Sequence, residues 1–306
     1  MPSYTRLPGR TQCFLLTSIL FLCLLFFHGH TARAATVDIM LVYDTTASTW
    51  VSKNGGIATF SEEAVNRMNQ AMQNSDIDLT FRLVHAVSVA YTHQGLSDDL
   101  TSIQAGIGSL SLVHSLRNQY GADLVALLVD TGSAYGTVGL GYLLSSWGGS
   151  PAYGYTVSSI RAVAVSHTLT HEVGHNFGAH HAKTQNTSPG PNTSLGSYSA
   201  GWYFTGTNST RYHTIMAYST DRFGTHHQPA PLFSTPLVNW QGAVAGHSQD
   251  GDNARLIRET KNIIAAYRAT VASSHTVNTQ TGTGGSIVPS IRTVNHGEST
   301  SFTLVP

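Results

Sequence analysis

Five of the chain's sixteen histidines lie between residues 167 and 181, in the stretch HTLTHEVGHNFGAHH. On a helix, His171 and His175 differ by about 40° around the axis and one turn along it, so both rings reach one point. Glu172 lies about 100° from His171, beside that point. A carboxylate there can take a proton from water polarised by a cation. A continuous helix would carry His181 about 15 Å along the axis and onto another face. Gly178 removes that obstacle, because a glycine can adopt the left-handed conformation, end the helix and swing the chain back. The unit His-Glu-x-x-His-x-x-Gly-x-x-His therefore offers three neutral imidazoles and an open fourth position, the donor set of a hydrolytic Zn2+. His180 is a rival third ligand, but the spacing from Gly178 favours His181. His167, one turn before His171, reads as an ordinary polar position at the helix start.

These residues need a frame. TVDIMLVYD (36–44) alternates and is β-rich, so it reads as a first strand. FSEEAVNRMNQAMQNS (60–75) carries a helical apolar stripe, and IDLTFRLVHAVSVAY (77–91) is a long second strand. LVHSLRNQYGADLVALLVD (112–130) reads as a helix closed by Gly121 and then a buried strand. That order predicts an α/β layer with a mixed, mostly parallel sheet. A Gly-rich loop follows, with an edge strand between about 135 and 165 that could pair with an extended ligand; IRAVAVSH (160–167) is expected to be that edge or a further sheet strand. Residues 182–250 are loop-rich, and 252–271 form an amphipathic helix. SQDGDN (248–253) is a candidate Ca2+ segment and reads better as a turn and helix cap.

The two ends differ from the middle. Arg6 and Arg10, the apolar run 13–27, and Ala32 and Ala34 at small-x-small positions form a signal peptide, residues 1–34. The apolar run is shorter than a membrane span. A secreted or periplasmic chain cut near Ala34, with no membrane anchor, is expected. Removing Arg6, Arg10 and Arg33 from sixteen basic residues leaves thirteen against sixteen acidic ones, a net charge of −3. Nothing in that balance suggests nucleic acid. Cys13 and Cys23 leave with the signal, so the mature chain has no thiol and no disulfide. Residues 272–306 turn Ser/Thr/Gly-rich and read as a linker and a partial β-repeat-like tail.

A second motif, YHTIMAYS (212–219), places Met216 and Tyr218 downstream of the histidines. In order, VDIMLVYD, LRNQYGADLVALLVD, THEVGHNFGAHH, YHTIMAY and DNARLIRETKNIIAAYR resemble the metzincin zinc endopeptidases. They are most similar to the bacterial peptidyl-Asp metallopeptidases and neighbouring reprolysin-like secreted peptidases. The similarity runs over residues 35–271. It implies an upper lobe with a sheet and two helices, and a loop-rich lower lobe with a methionine turn and a last helix. It implies that Met216 floors the metal and that Tyr218 can stabilise the transition state. Protein or peptide substrates, a monomer, and cleavage on the amino side of an acidic residue are also implied. Arg211 and Arg222, which flank the methionine turn, are the candidate partners of that acid. The domain is expected to start directly after the signal, with no space for an N-terminal inhibitory segment. A secreted zinc-binding adhesion module that does not cut is the second reading. The tail supports it and the intact Glu172 opposes it; digestion with and without chelator separates the two.

Overall fold

The structure, a computed structural model, describes residues 34–191, 194–271, 274–295 and 299–306. The expected targeting segment up to residue 33 lies outside them. The first half runs β1 (Ala35–Tyr43), α1 (Thr45–Ser52), α2 (Ile57–Asn74), β2 (Leu79–Ser88), α3 (Leu96–Ala105), α4 (Ser111–Gln119) and β3 (Leu124–Val129). The apolar run of β1 has a plain cause: both of its faces are covered. Val37, Ile39, Leu41 and Tyr43 join one core layer with Phe60, Val65, Met68 and Met72 of α2. Met40 and Val42 join the opposite layer with Leu100 and Ile103 of α3 and Val113 of α4. Strand β3 divides in the same way, with Ala126 and Leu128 on the first side and Val125 and Leu127 on the second.

The sheet closes with β4 (Gly139–Gly141) and β5 (Tyr155–Ser159), in the order β2-β1-β3-β5-β4. All pairs are parallel except β4 with β5, so β4 is an antiparallel edge. Residues 160–165 depart from expectation. They are a short helix, α5 (Ile160–Val165), and not a strand. The cause is tertiary: Arg161 forks onto Asp130 at the end of neighbouring β3, with Nε–Oδ1 at 2.6 Å and Nη2–Oδ2 at 2.9 Å. A side chain that reaches across the strand ends in this way holds the chain in a turn just past β5.

After α6 (Thr168–Asn176) regular structure is sparse. β6 (Tyr203–Thr205), β7 (Arg211–His213) and β8 (Gln228–Pro229) form one small sheet, and β9 (Asn239–Trp240) pairs with β10 (Ala243–Val244). Helix α7 (Asn253–Ile264) then returns Leu256, Ile257 and Ile264 to the first core layer. In the tail, β11 (Ser274–Asn278) pairs with β13 (Ile291–Asn295), and β12 (Ser286–Val288) with β14 (Thr303–Val305). Among the described residues no helix is long and apolar enough to cross a membrane.

One residue fixes the turn from β1 into α1. The fully buried Asp44 accepts hydrogen bonds from Ala47 N at 2.6 Å, Thr46 Oγ1 at 2.9 Å and His93 N at 3.2 Å. Asp44→Ala is expected to cost about 1–2 kcal/mol as a lost N-cap. A urea melt whose midpoint does not move would contradict this role.

Candidate metal centre

Helix α6 lies against β4, β5 and α2 and carries His171, Glu172 and His175. It ends as the sequence requires. Gly178 has φ 87°, its N–H bonds to His175 O at 2.9 Å, and Ala179 N bonds to Gly174 O at 3.0 Å. This is the paired-bond stop that a left-handed glycine permits. It also turns Ala179 O back, so that His175 Nδ1 donates to it at 2.9 Å.

The other two rings are held in the same way. His171 Nδ1 donates to Ile215 O and His181 Nδ1 to Ser188 O, each at 2.8 Å. With all three Nδ1 protons given to carbonyls, all three Nε2 atoms carry bare lone pairs. Those ligand atoms lie within 4.8 Å of one another, and Nε2 of His171 is 3.1 Å from Nε2 of His181. Converging lone pairs repel unless a cation sits among them. Zinc–nitrogen bonds of about 2.0–2.1 Å in a tetrahedron set such nitrogens about 3.3 Å apart, so the donor set fits. Burial, then the charge of neighbouring imidazoles, pushes His171 down to about 3. Burial also lowers His175 and His181, which keeps all three rings neutral. Among the described residues no other group of three or more His, Cys, Asp or Glu could hold a metal.

Glu172 is buried and lines a cleft of about 820 Å³ together with His171, His167, His213 and Tyr218. Desolvation raises its carboxyl to about 8. Edge strand β4 runs very close to it. A Cβ on Gly139 would stand 2.5 Å from Glu172 Oε1, and one on Gly141 would collide with the Glu172 carbonyl oxygen. The Gly-Leu-Gly of β4 therefore lets the edge lie against α6. Its signal in the sequence is two glycines spaced to face one side of a strand.

Met216 is fully buried beneath α6, where a Cβ on Gly174 would meet its Sδ at 2.8 Å. Tyr218 is half-exposed, its ring centroid 4.8 Å from that of His181 and 6.2 Å from that of His171. Burial and the nearby Glu172 raise its phenol. His180 is not part of the converging group, although its ring centroid lies 5.2 Å from that of His181. Its backbone is clasped by Asn253, and its Nδ1 accepts from His181 N at 2.8 Å. His167 precedes the first turn of α6 and lines the cleft.

Arg211 and Arg222 are not brought to the site. Both are exposed, neither lines the cleft, and the Arg222 guanidinium lies 4.7 Å from the Phe223 ring centroid. The SQDGDN segment is a turn: Asp250 pairs with Lys183 at 2.7 Å, and Asp252 caps α7 by accepting from Arg255 N at 3.0 Å.

The chain is similar to known proteins. The chain is similar to the peptidyl-Asp metalloendopeptidase of Stenotrophomonas maltophilia (strain R551-3), 26% identical over 236 residues that cover 76% of this chain and 53% of the relative. It is also similar to the peptidyl-Asp metalloendopeptidase of Pseudomonas aeruginosa, 30% identical over 276 residues, 83% of this chain and 43% of the relative. The chain spans about half the length of these curated relatives. A chain from the structure of a chaperone–substrate complex shares the fold, with a TM-score of 0.55 over 78% of this chain and 35% of that one at 18% identity. The family model of metallo-peptidase family M12 (Reprolysin_5) matches residues 33–230, a span that holds the three histidines, Glu172 and Met216, and the chain belongs to that family.

Proposed function

We propose that this chain is a secreted zinc endopeptidase. The observation that carries the reading is the trio of imidazoles locked by backbone carbonyls with their Nε2 lone pairs converging, while Glu172, next to His171 on α6, lines an open cleft together with His171. His171, His175 and His181 hold the ion, which when bound supplies Lewis acidity to water and to the scissile carbonyl. Glu172 takes a proton from the attacking water and passes it to the leaving amine. The Tyr218 phenol donates a hydrogen bond to the developing oxyanion. Met216 serves as an apolar floor under α6. The substrate backbone extends the sheet at β4, antiparallel to the edge.

Preference for an acidic residue on the primed side belongs to the same proposal. The names of the relatives support it. Mass-spectrometric mapping of cleavage sites in a denatured proteome tests both parts, with a Glu172 variant as control. Cuts with no enrichment of Asp or Glu after the scissile bond would remove the preference. Absence of cutting would remove the endopeptidase.

The glycines of β4 give a contrast. Gly139→Ala meets the Glu172 side chain from Cγ to Oε1, so it is expected to displace the base and lower kcat/KM by about a hundredfold, with a smaller loss of melting temperature than a clash with backbone brings. Gly141→Ala meets Glu172 backbone and must part β4 from α6, so it lowers stability as well. Equal melting temperatures for the two variants would contradict that packing.

A further inference from the structure

Gln185 lies on a loop that neither zinc motif covers, yet it is 3% exposed, which is unusual for an uncharged amide outside any helix or strand. Every polar atom of its side chain is used. Its Oε1 accepts from Ala182 N and from Tyr218 N, both at 3.3 Å. Its Nε2 donates to Thr187 O at 2.7 Å and reaches Ser188 O at 3.5 Å. Ser188 O is the same atom that receives the His181 Nδ1 proton. Ser188 also has φ 46°, a left-handed conformation that is strained for a non-glycine residue and persists only where neighbours enforce it. The Gln185 backbone bridges Asp221, and Arg222 N donates to Thr184 O at 2.8 Å, which fastens this loop to the segment after Tyr218. One amide thus touches the backbone of the proposed oxyanion donor on one side. On the other it touches the carbonyl that sets the tautomer and direction of the third imidazole.

We propose that Gln185 is a positioning residue that orients the His181 imidazole and Tyr218 together. The inference rests on the reading of His171, His175 and His181 as the metal centre. Outer partners of metal-bound imidazoles commonly change metal affinity or activity by about 10–100-fold when removed. Gln185→Met keeps the volume and deletes every hydrogen bond. Gln185→Glu keeps the acceptor for Tyr218 and Ala182 but turns lone pairs towards the carbonyls of Thr187 and Ser188.

The test compares wild-type chain with both variants, each loaded with zinc. Release of zinc to an excess of chromogenic chelator is timed, kcat and KM are measured on one peptide, and the metal-free proteins are melted. Gln185→Met is expected to release zinc about 10–100-fold faster and to lose kcat more than KM. Gln185→Glu is expected to release zinc faster than wild type, with a kcat above that of Gln185→Met. Zinc release at the wild-type rate in both variants would overturn the proposal. So would losses wholly matched by a lower melting temperature of the metal-free protein, which would make Gln185 packing alone. Wild-type protein that takes up no stoichiometric zinc would instead overturn the metal centre itself.

Discussion

Glu172→Gln is expected to lower kcat by about two to four orders of magnitude while zinc stays bound at one ion per chain, the range a positioned general base supplies. The substitution is close to isosteric, and the amide would still fit against Gly139 and β4. What it removes is the proton acceptor. Because the three imidazoles that could hold a metal do not include the carboxylate, metal content should not fall under the proposed reading. Desolvation that holds the metal-free carboxyl near 8 also means that a proton and a dication compete for this corner of the cleft. Loading the wild type with zinc should therefore release a proton near pH 7, and loading the Glu172→Gln variant should release less. Turnover within tenfold of wild type, with zinc present, would take Glu172 out of the chemistry.

Removal of the metal should have the other large effect, on stability as well as on activity. A ligand present at about a thousand times its dissociation constant stabilises the native state by about 4 kcal/mol, or roughly 10 °C in melting temperature for a domain of this size. Without the ion, the three facing lone pairs repel. Chelation should abolish cleavage and lower Tm by that order, and zinc should restore both.

The metal-free chain should also be acid-labile. Burial first, then nearby positive charge, lowers His167 to about 4 and His171 to about 3, and burial lowers His213 to about 4. Unfolded histidine titrates near 6.5. Between those values these imidazoles bind more protons in the unfolded chain than in the native one, so the stability they contribute is complete above pH 6.5 and is lost as pH falls. Each such imidazole contributes about 1–2 kcal/mol of loss between pH 7 and pH 5. Urea melts of the apoprotein at those two pH values check the sign; a larger stability at pH 5 would refute it.

The parts of this molecule that follow from local chemistry are legible in the chain alone. The spacing of His171, Glu172 and His175 is a property of one helix, and Gly178 is a property of one backbone angle, so the ligand set and its turn can be read directly. The central strands are legible because β1 and β3 are covered on both faces and so are apolar throughout. Helix α1 is not, since Thr-Thr-Ala-Ser-Thr is a weak helix former and is set by the buried Asp44 cap. Helix α5 reads as a strand because its β-branched alternation competes with the Arg161–Asp130 fork, a contact between residues 31 apart in the chain.

Sequence alone does not say which carbonyls take the imidazole protons. Ile215 lies 44 residues from His171, and Ser188 acts on His181 only because Gln185 and the Tyr218 segment hold its loop in place. The chain by itself therefore determined the metal-binding donor set, the helix that carries it and the layered frame. The tertiary structure alone decided the tautomers, the approach of β4 to Glu172 and the exclusion of Arg211 and Arg222 from the cleft. The physical reason is range: helix periodicity and a glycine turn act over a few residues, whereas hydrogen-bond partners across a cleft come from segments that only packing brings together.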